Sequence, residues 1–185
     1  MEKIVPTTNS KQLRRRSIRL KGYDYRQTGA YFLTICTGRH APLFGKISNG
    51  RMTINALGSI VLDSWQSIAD KRSNLSLDRF VVMPNHVHGI ILVGEKGMTV
   101  VSPIQNESSP ANPRKLSSDS LGTIVGQFKG AVTKRAKAES IQPPSPIWQR
   151  NFYEHIIRDE DSLNKIRAYI VENPARWSDD SLYVE

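Results

Sequence analysis

The chain is poor in cysteine, in acidic residues and in long apolar runs. It holds a single cysteine, Cys36, in 185 residues. That excludes an intrachain disulfide framework and a multi-cysteine zinc site. A reducing cytoplasm is the expected compartment. No apolar stretch approaches the roughly 18 residues of a membrane span, and the polar, basic N-terminus carries no signal-peptide pattern. A membrane is therefore not an expected partner. Acidic residues number 17 against 26 Lys plus Arg, a formal charge of +9. Such an excess is the electrostatic footprint of a phosphate-backbone binder. The length allows one domain with a sizeable core, and no internal repeat is visible.

What the chain does have is Val81-Val82-Met83-Pro84-Asn85-His86-Val87-His88-Gly89-Ile90-Ile91-Leu92-Val93. The β-branched apolar run reads as a buried strand. Side chains on a strand repeat with period two, so His86 and His88 point to one face. Two buried imidazoles are costly unless paired. They are either ligands of a divalent metal or a hydrogen-bonded core pair. Pro84-Asn85 makes a tight turn into this strand, which sets the histidines beside a loop, where function often sits.

About eighty residues later comes Ala168-Tyr169-Ile170-Val171-Glu172-Asn173-Pro174. The spacing of Leu163, Ile166 and Ile170 predicts a helix over 162–173. Asp159, Glu160 and Asp161 suit its N-terminus, and Pro174 marks its end. Tyr169 and Asn173 are four apart and share a face. Tyr169 is either a nucleophile, whose charge a metal would stabilise, or a half-buried packing residue. Asn173 is either a hard oxygen ligand or a C-cap. Tyr153 is the rival nucleophile, but it lies in a predicted strand and no amide ligand follows it at helical spacing.

Taken together, these pieces resemble the REP-associated tyrosine transposase family, within the single-tyrosine HUH transposases of insertion-sequence type. The resemblance runs through Arg15-Arg16-Ser17-Ile18-Arg19-Leu20-Lys21-Gly22-Tyr23-Asp24-Tyr25 and Gly29-Ala30-Tyr31-Phe32-Leu33-Thr34-Ile35-Cys36-Thr37. It continues through the His86/His88 motif, Trp148-Gln149-Arg150-Asn151-Phe152-Tyr153-Glu154-His155-Ile156-Ile157-Arg158-Asp159 and the Tyr169–Pro174 motif. It covers roughly residues 15 to 177, and the order and spacing of its parts are what make it specific. The chain departs from relatives in a short segment after Pro174 and in a longer, more polar stretch from Lys96 to Asp119.

The layout suits that family. Residues 1–20 form a basic N-terminal arm carrying Arg14, Arg15, Arg16 and Arg19. The arm is either a solvated tail or a DNA contact. Residues 21–177 read as one domain, with a flexible insertion over 96–120, and 178–185 as a C-terminal tail. A strand over 30–37 is followed by a hairpin over 43–54 turned by Asn49-Gly50. An amphipathic helix follows over 57–69, and then strands over 78–83 and 86–93. After the insertion comes a helix with Leu121, Ile124, Val125, Phe128 and Val132 on its apolar face. Its Lys129, Lys134, Arg135 and Lys137 make either a solvated face or a DNA-facing one. A strand over 152–157 and the Tyr169 helix close the domain. Without hairpin and last helix the order is βαββαβ, an α+β ferredoxin-like split βαβ. It predicts an antiparallel sheet with helices on one face, plus the inserted β-hairpin and a C-terminal helix that the resemblance implies is catalytic.

The resemblance implies single-stranded DNA cleavage and rejoining at hairpin or palindromic sites through a 5′-phosphotyrosine on Tyr169. His86, His88 and Asn173 would hold one Mg²⁺ or Mn²⁺. The implied partner is single-stranded or hairpin DNA, met as a monomer or homodimer. His155 is read as orienting a ligand, touching DNA, or serving as a hydrogen-bonded core histidine. Two other functions stay open. One is a non-catalytic single-stranded nucleic-acid-binding module. The other is a metal-dependent phosphodiesterase without a covalent intermediate.

Overall fold

The computed structural model describes residues 28–94, 120–143 and 146–184. The arginines of the basic arm and nearly all of the 96–120 insertion lie outside the described residues. In chain order, β1 (Gly29–Cys36) is followed by the hairpin strands β2 (Gly45–Ser48) and β3 (Arg51–Ile54), then by helix α1 (Ala56–Gln66). The strands β4 (Leu75–Val82) and β5 (His86–Val93) come next. Helix α2 (Leu121–Ala138), strand β6 (Tyr153–Ile157) and helix α3 (Glu160–Glu172) complete the set, and a short 3₁₀ segment runs on over Asn173–Asp179.

The sheet has the order β4-β5-β1-β6, all neighbours antiparallel. The first and third core strands are thus central neighbours, as the split βαβ reading expects. Register divides the side chains cleanly. Tyr31, Leu33 and Ile35 of β1, with Val87, Ile91 and Val93 of β5, face α1 and α2 in the main core. Ala30 and Phe32 of β1, with Ile90 and Leu92 of β5, face the other way, onto Leu163, Ile166 and Ile170 of α3. The two crossover helices therefore cover one face and α3 the other. The two histidines belong to the α3 side by the same alternation.

Local chemistry sets the element ends. Asn49 and Gly50 both have positive φ, 51° and 69°, the twist a two-residue hairpin turn requires. Asn55 caps α1 by accepting from the Gly58 amide at 2.9 Å, and Asp159 caps α3 by accepting from the Ser162 amide at 2.7 Å. That cap starts α3 two residues earlier than the apolar spacing predicts. β4 also starts three residues early, because a bulge between Leu77 and Phe80 lets pairing resume on either side of it. Asp78 sits in this bulge, and Arg167 of α3 grips its carboxylate through Nε at 3.0 Å and Nη2 at 2.5 Å. No helix of the described residues is long and apolar enough to cross a membrane.

Gly89 is fixed by close approach. A Cβ there would meet the Trp65 ring at 2.4 Å, and Trp65 cannot retreat: Phe80 stacks on it at 4.4 Å and Phe128 abuts it at 5.5 Å. Gly89→Ala should overpack this cluster and cost about 1–3 kcal/mol. Urea unfolding followed by tryptophan fluorescence would measure the loss; an unchanged midpoint would contradict this packing.

Candidate active site

The Pro84-Asn85 turn delivers His86 to the first position of β5. The His86 carbonyl accepts from the Met83 amide at 2.9 Å, and the Asn85 carbonyl accepts from the Thr37 amide at 2.8 Å. Opposite them on β1, Cys36 faces His86 and Thr34 faces His88. Both imidazoles are buried, at 0% and 3% exposure. Each is held from behind. His86 Nδ1 lies 2.8 Å from Asn85 Oδ1, and His88 Nδ1 lies 2.9 Å from Thr34 Oγ1.

The Asn85 amide settles the His86 tautomer. Its Nδ2 donates to the Leu182 carbonyl at 2.7 Å and to the His40 carbonyl at 3.3 Å. Its Oδ1 is therefore the acceptor, so this network assigns the proton to His86 Nδ1 and a free lone pair to Nε2. The two Nε2 atoms meet 3.0 Å apart. Burial first, and then the neighbouring His40, lowers the pKa of His86 from 6.5 to about 3. For His88 burial again leads, followed by His86, and the value is again lowered to about 3. Both rings are thus neutral, the form that binds metals.

Three groups from the chain's end complete the cluster. The Tyr169 hydroxyl reaches to 3.3 Å from His88 Nε2. Phe32 lies between strand and helix, stacked on His88 at 5.2 Å and edge-on to Tyr169 at 6.1 Å. Tyr169 as a whole remains 40% exposed. Burial, and then the charge of Asp180, raises its pKa. One turn later Asn173 is buried; its Nδ2 donates to Asp180 Oδ2 at 3.1 Å, while its Oδ1 is buried without a partner. Asp180 Oδ2 stands 3.9 Å from His86 Nε2. The ligand atoms of His86, His88 and Asp180 lie within 4.8 Å of one another.

This donor set fits a divalent ion. Adjacent ligands about 2.1 Å from a metal stand about 3 Å from each other, which is the spacing of the two Nε2 atoms. Asn173 joins the cluster through its Nδ2 bond to Asp180 and keeps a buried Oδ1 without a partner. Asp180 is the residue that sequence reasoning missed. It sits in the stretch set aside as a tail over 178–185, yet its side chain is buried and Leu182 is bonded to Asn85. The residues after Pro174 carry no periodicity from which to place a side chain, so only the bare occurrence of Asp180 past the helix could have hinted at it.

The other expected residues fall elsewhere. Arg14, Arg15, Arg16 and Arg19 lie outside the described residues. Lys129 does not present the free charge expected of a DNA-facing helix. Its ammonium donates to the carbonyls of Gln149 at 2.8 Å and Asn151 at 3.0 Å and lies over the Phe152 ring. Burial lowers its pKa to about 8. Arg135 pairs with Asp63 and with Glu139, each at 2.9 Å, while Lys134 is exposed. All three belong to α2, on the sheet face opposite the histidines. His155 is exposed on β6 and neither a core histidine nor in contact with the cluster.

The lowered histidine pKa values have a consequence for stability. Between about pH 6.5 and pH 3 the unfolded chain takes up protons that the folded chain refuses. The metal-free fold should thus hold its stability above pH 6.5 and lose it progressively as pH falls below. A scan of the thermal midpoint against pH in EDTA checks this; the His86→Gln, His88→Gln double variant should show a shallower acid slope.

No protein-family profile matches the chain. A Haemophilus influenzae protein described only as uncharacterized is 46% identical over 173 residues, spanning 92% of this chain and 94% of the relative. Among solved structures, a REP-associated tyrosine transposase bound to a REP hairpin superposes with a TM-score of 0.56 at 18% identity. The match covers 87% of this chain and 73% of that one. The chain thus belongs to one family with the Haemophilus influenzae protein, and its fold is that of a REP-associated tyrosine transposase.

Proposed function

We propose that this protein cleaves and rejoins single-stranded DNA at hairpin or palindromic sites through a covalent phosphotyrosine on Tyr169. The observation that carries the reading is the approach of the Tyr169 hydroxyl to 3.3 Å from His88 Nε2, an atom that itself lies 3.0 Å from His86 Nε2. The fold likeness to a transposase bound to a DNA hairpin supports it, as does the +9 formal charge.

His86 and His88 would hold a Mg²⁺ or Mn²⁺ ion, and Asn173 or Asp180 would supply an oxygen ligand. When bound, the ion polarises a phosphate oxygen as a Lewis acid. The chain's own residues do the rest. Phe32 and the turn of α3 fix the Tyr169 ring against the cluster. The phenol gives up its proton and its oxygen bonds to phosphorus; the bond from phosphorus to the 3′ oxygen breaks, and that oxygen takes up a proton. The 5′ phosphate stays on Tyr169. A 3′ hydroxyl later reverses the exchange, so rejoining needs no nucleotide cofactor. The raised Tyr169 pKa means that little phenolate exists beforehand. Its loss of the proton is coupled to substrate binding rather than completed in the free protein.

One observation favours a second reading. Asp180 turns the histidine pair into a His-His-carboxylate set. Such a set suits water as the nucleophile, as in metal-dependent phosphodiesterases.

Incubating the protein with labelled hairpin DNA and Mn²⁺, then running a denaturing gel, separates the two. Wild type should give a protein–DNA adduct, and Tyr169→Phe should give none while still binding DNA. Free product without an adduct would select hydrolysis. His86→Ala or His88→Ala should abolish cleavage. Asn85→Ala, which frees the His86 ring to take the wrong tautomer, should weaken Mn²⁺ binding by about 10–100-fold, read by titration calorimetry. An unaltered affinity would remove Asn85 from this role.

A further inference from the structure

Among the described residues, the sheet face that carries the histidines is only partly covered. Arg167 ties α3 to Asp78 on β4, and Leu163 and Ile170 pack on Ala30, Ile90 and Ile157. Among the described residues no strand pairs with the outer edge of β6, and its other end is exposed. Two rings stand on it. Tyr153 is 47% exposed and His155 is exposed. Among the described residues neither has a hydrogen-bond or ring partner.

Register places both rings on the histidine side. Thr34 pairs with His88 on one flank and with Tyr153 on the other. His88, Thr34 and Tyr153 therefore form one row across the sheet, and Thr34 is the residue that holds the His88 ring. With strands about 4.8 Å apart, the Tyr153 backbone stands about 10 Å from that of His88. In the next row Phe32 pairs with His155, and Phe32 already stacks on His88 at 5.2 Å. A file of rings thus leads from the tyrosine–histidine cluster to the open edge. Charge gives the file a direction. Exposed Arg150 lies just before β6, while Asp159, Glu160 and Asp161 crowd the far end at the start of α3.

We propose that this open edge is a stacking platform for the unpaired bases beside the scissile phosphate, which rest on Tyr153 and His155 as the backbone passes toward Arg150. Aromatic side chains beside a basic residue are what single-stranded nucleic acid uses: the base finds a π-face and the phosphate a cation. The acidic end repels phosphate, so the strand leaves past Arg150 and not past Arg158. Tyr153 is a binding residue here, not a nucleophile, and the ring alone matters. The inference rests on the DNA-cleaving reading above and adds where its single-stranded substrate lies.

The test is fluorescence anisotropy in EDTA, where no cleavage occurs, with a labelled hairpin bearing unpaired flanks and with the same hairpin blunt-ended. Tyr153→Ala should weaken binding of the flanked hairpin by about tenfold or more, the loss of one stacked base. His155→Ala should weaken it less, and Tyr153→Phe should leave it unchanged. None should alter binding of the blunt hairpin. If Tyr153→Ala does not fold, Tyr153→Leu carries the same expectation. Flanked-hairpin affinities equal to wild type for both Tyr153→Ala and His155→Ala would overturn the platform. So would a wild-type dimer in sedimentation that Tyr153→Ala splits, since that assigns the edge to a second copy of the chain. The adduct assay keeps the two readings apart. An adduct with no defect in either Tyr153→Ala or His155→Ala leaves transposase chemistry standing and sinks the platform. A clear Tyr153→Ala defect without any adduct supports the platform and sinks the chemistry.

Discussion

Burying two imidazoles side by side on one strand works here because each has its Nδ1 hydrogen-bonded from behind, by Asn85 and by Thr34. Remove those bonds and each ring could rotate or change tautomer, and two desolvated nitrogens would lose their partners. The rest of the site follows from this constraint. Asn85 reaches the chain's end through Leu182, so the segment with Asp180 is tied to the same amide that orients His86. Thr34 lies on the central strand, so the His88 orientation is as rigid as the β1–β5 ladder. The helix with Tyr169 then needs to supply only one hydroxyl at the right height.

The two faces of the sheet do different work. On one side Trp65, Phe80, Phe128 and Trp148 pack with the aliphatic residues of α1 and α2 into the main core. On the other, a smaller cluster around Ile90, Leu163 and Ile170 leaves room for polar side chains. Strand alternation makes this division possible without any residue serving both purposes. Gly89 marks the place where the two demands collide: it separates His88 from Ile90, and its missing side chain is what lets Trp65 come up against β5.

Much of this was legible in the sequence, for reasons particular to each element. The strand His86–Val93 has its observed limits because a proline turn precedes it and the apolar run ends at a glycine. The hairpin was visible in Asn49-Gly50, and α3 in the spacing of Leu163, Ile166 and Ile170. What was not legible depends on long-range pairing. Asp180 comes from 94 positions past His86, in a segment with neither strand nor helix period. Asn85 looked like a turn residue, and nothing local shows that its amide spans His86, His40 and Leu182. The charge of Lys129 suggests a phosphate contact, but its length lets the ammonium reach back to cap the carbonyls before β6. Periodicity gives faces; it does not give the partners that loops bring to them.

The tie between Arg167 and Asp78 has a consequence for how this fold comes apart. Among the described residues α3 buries Leu163 and Ile170, with Ile166 partly buried beside them, and adds the Arg167–Asp78 ion pair, its carboxylate largely shielded and its guanidinium partly open. Such a helix is a separate rung on the ladder of local stability, able to lift from the sheet while the main core stays closed. Its amides should exchange with solvent well before those of β1 and β5. The protein is then built with two thresholds: a high one that keeps the histidines in register, and a lower one that governs how long the tyrosine stays beside them.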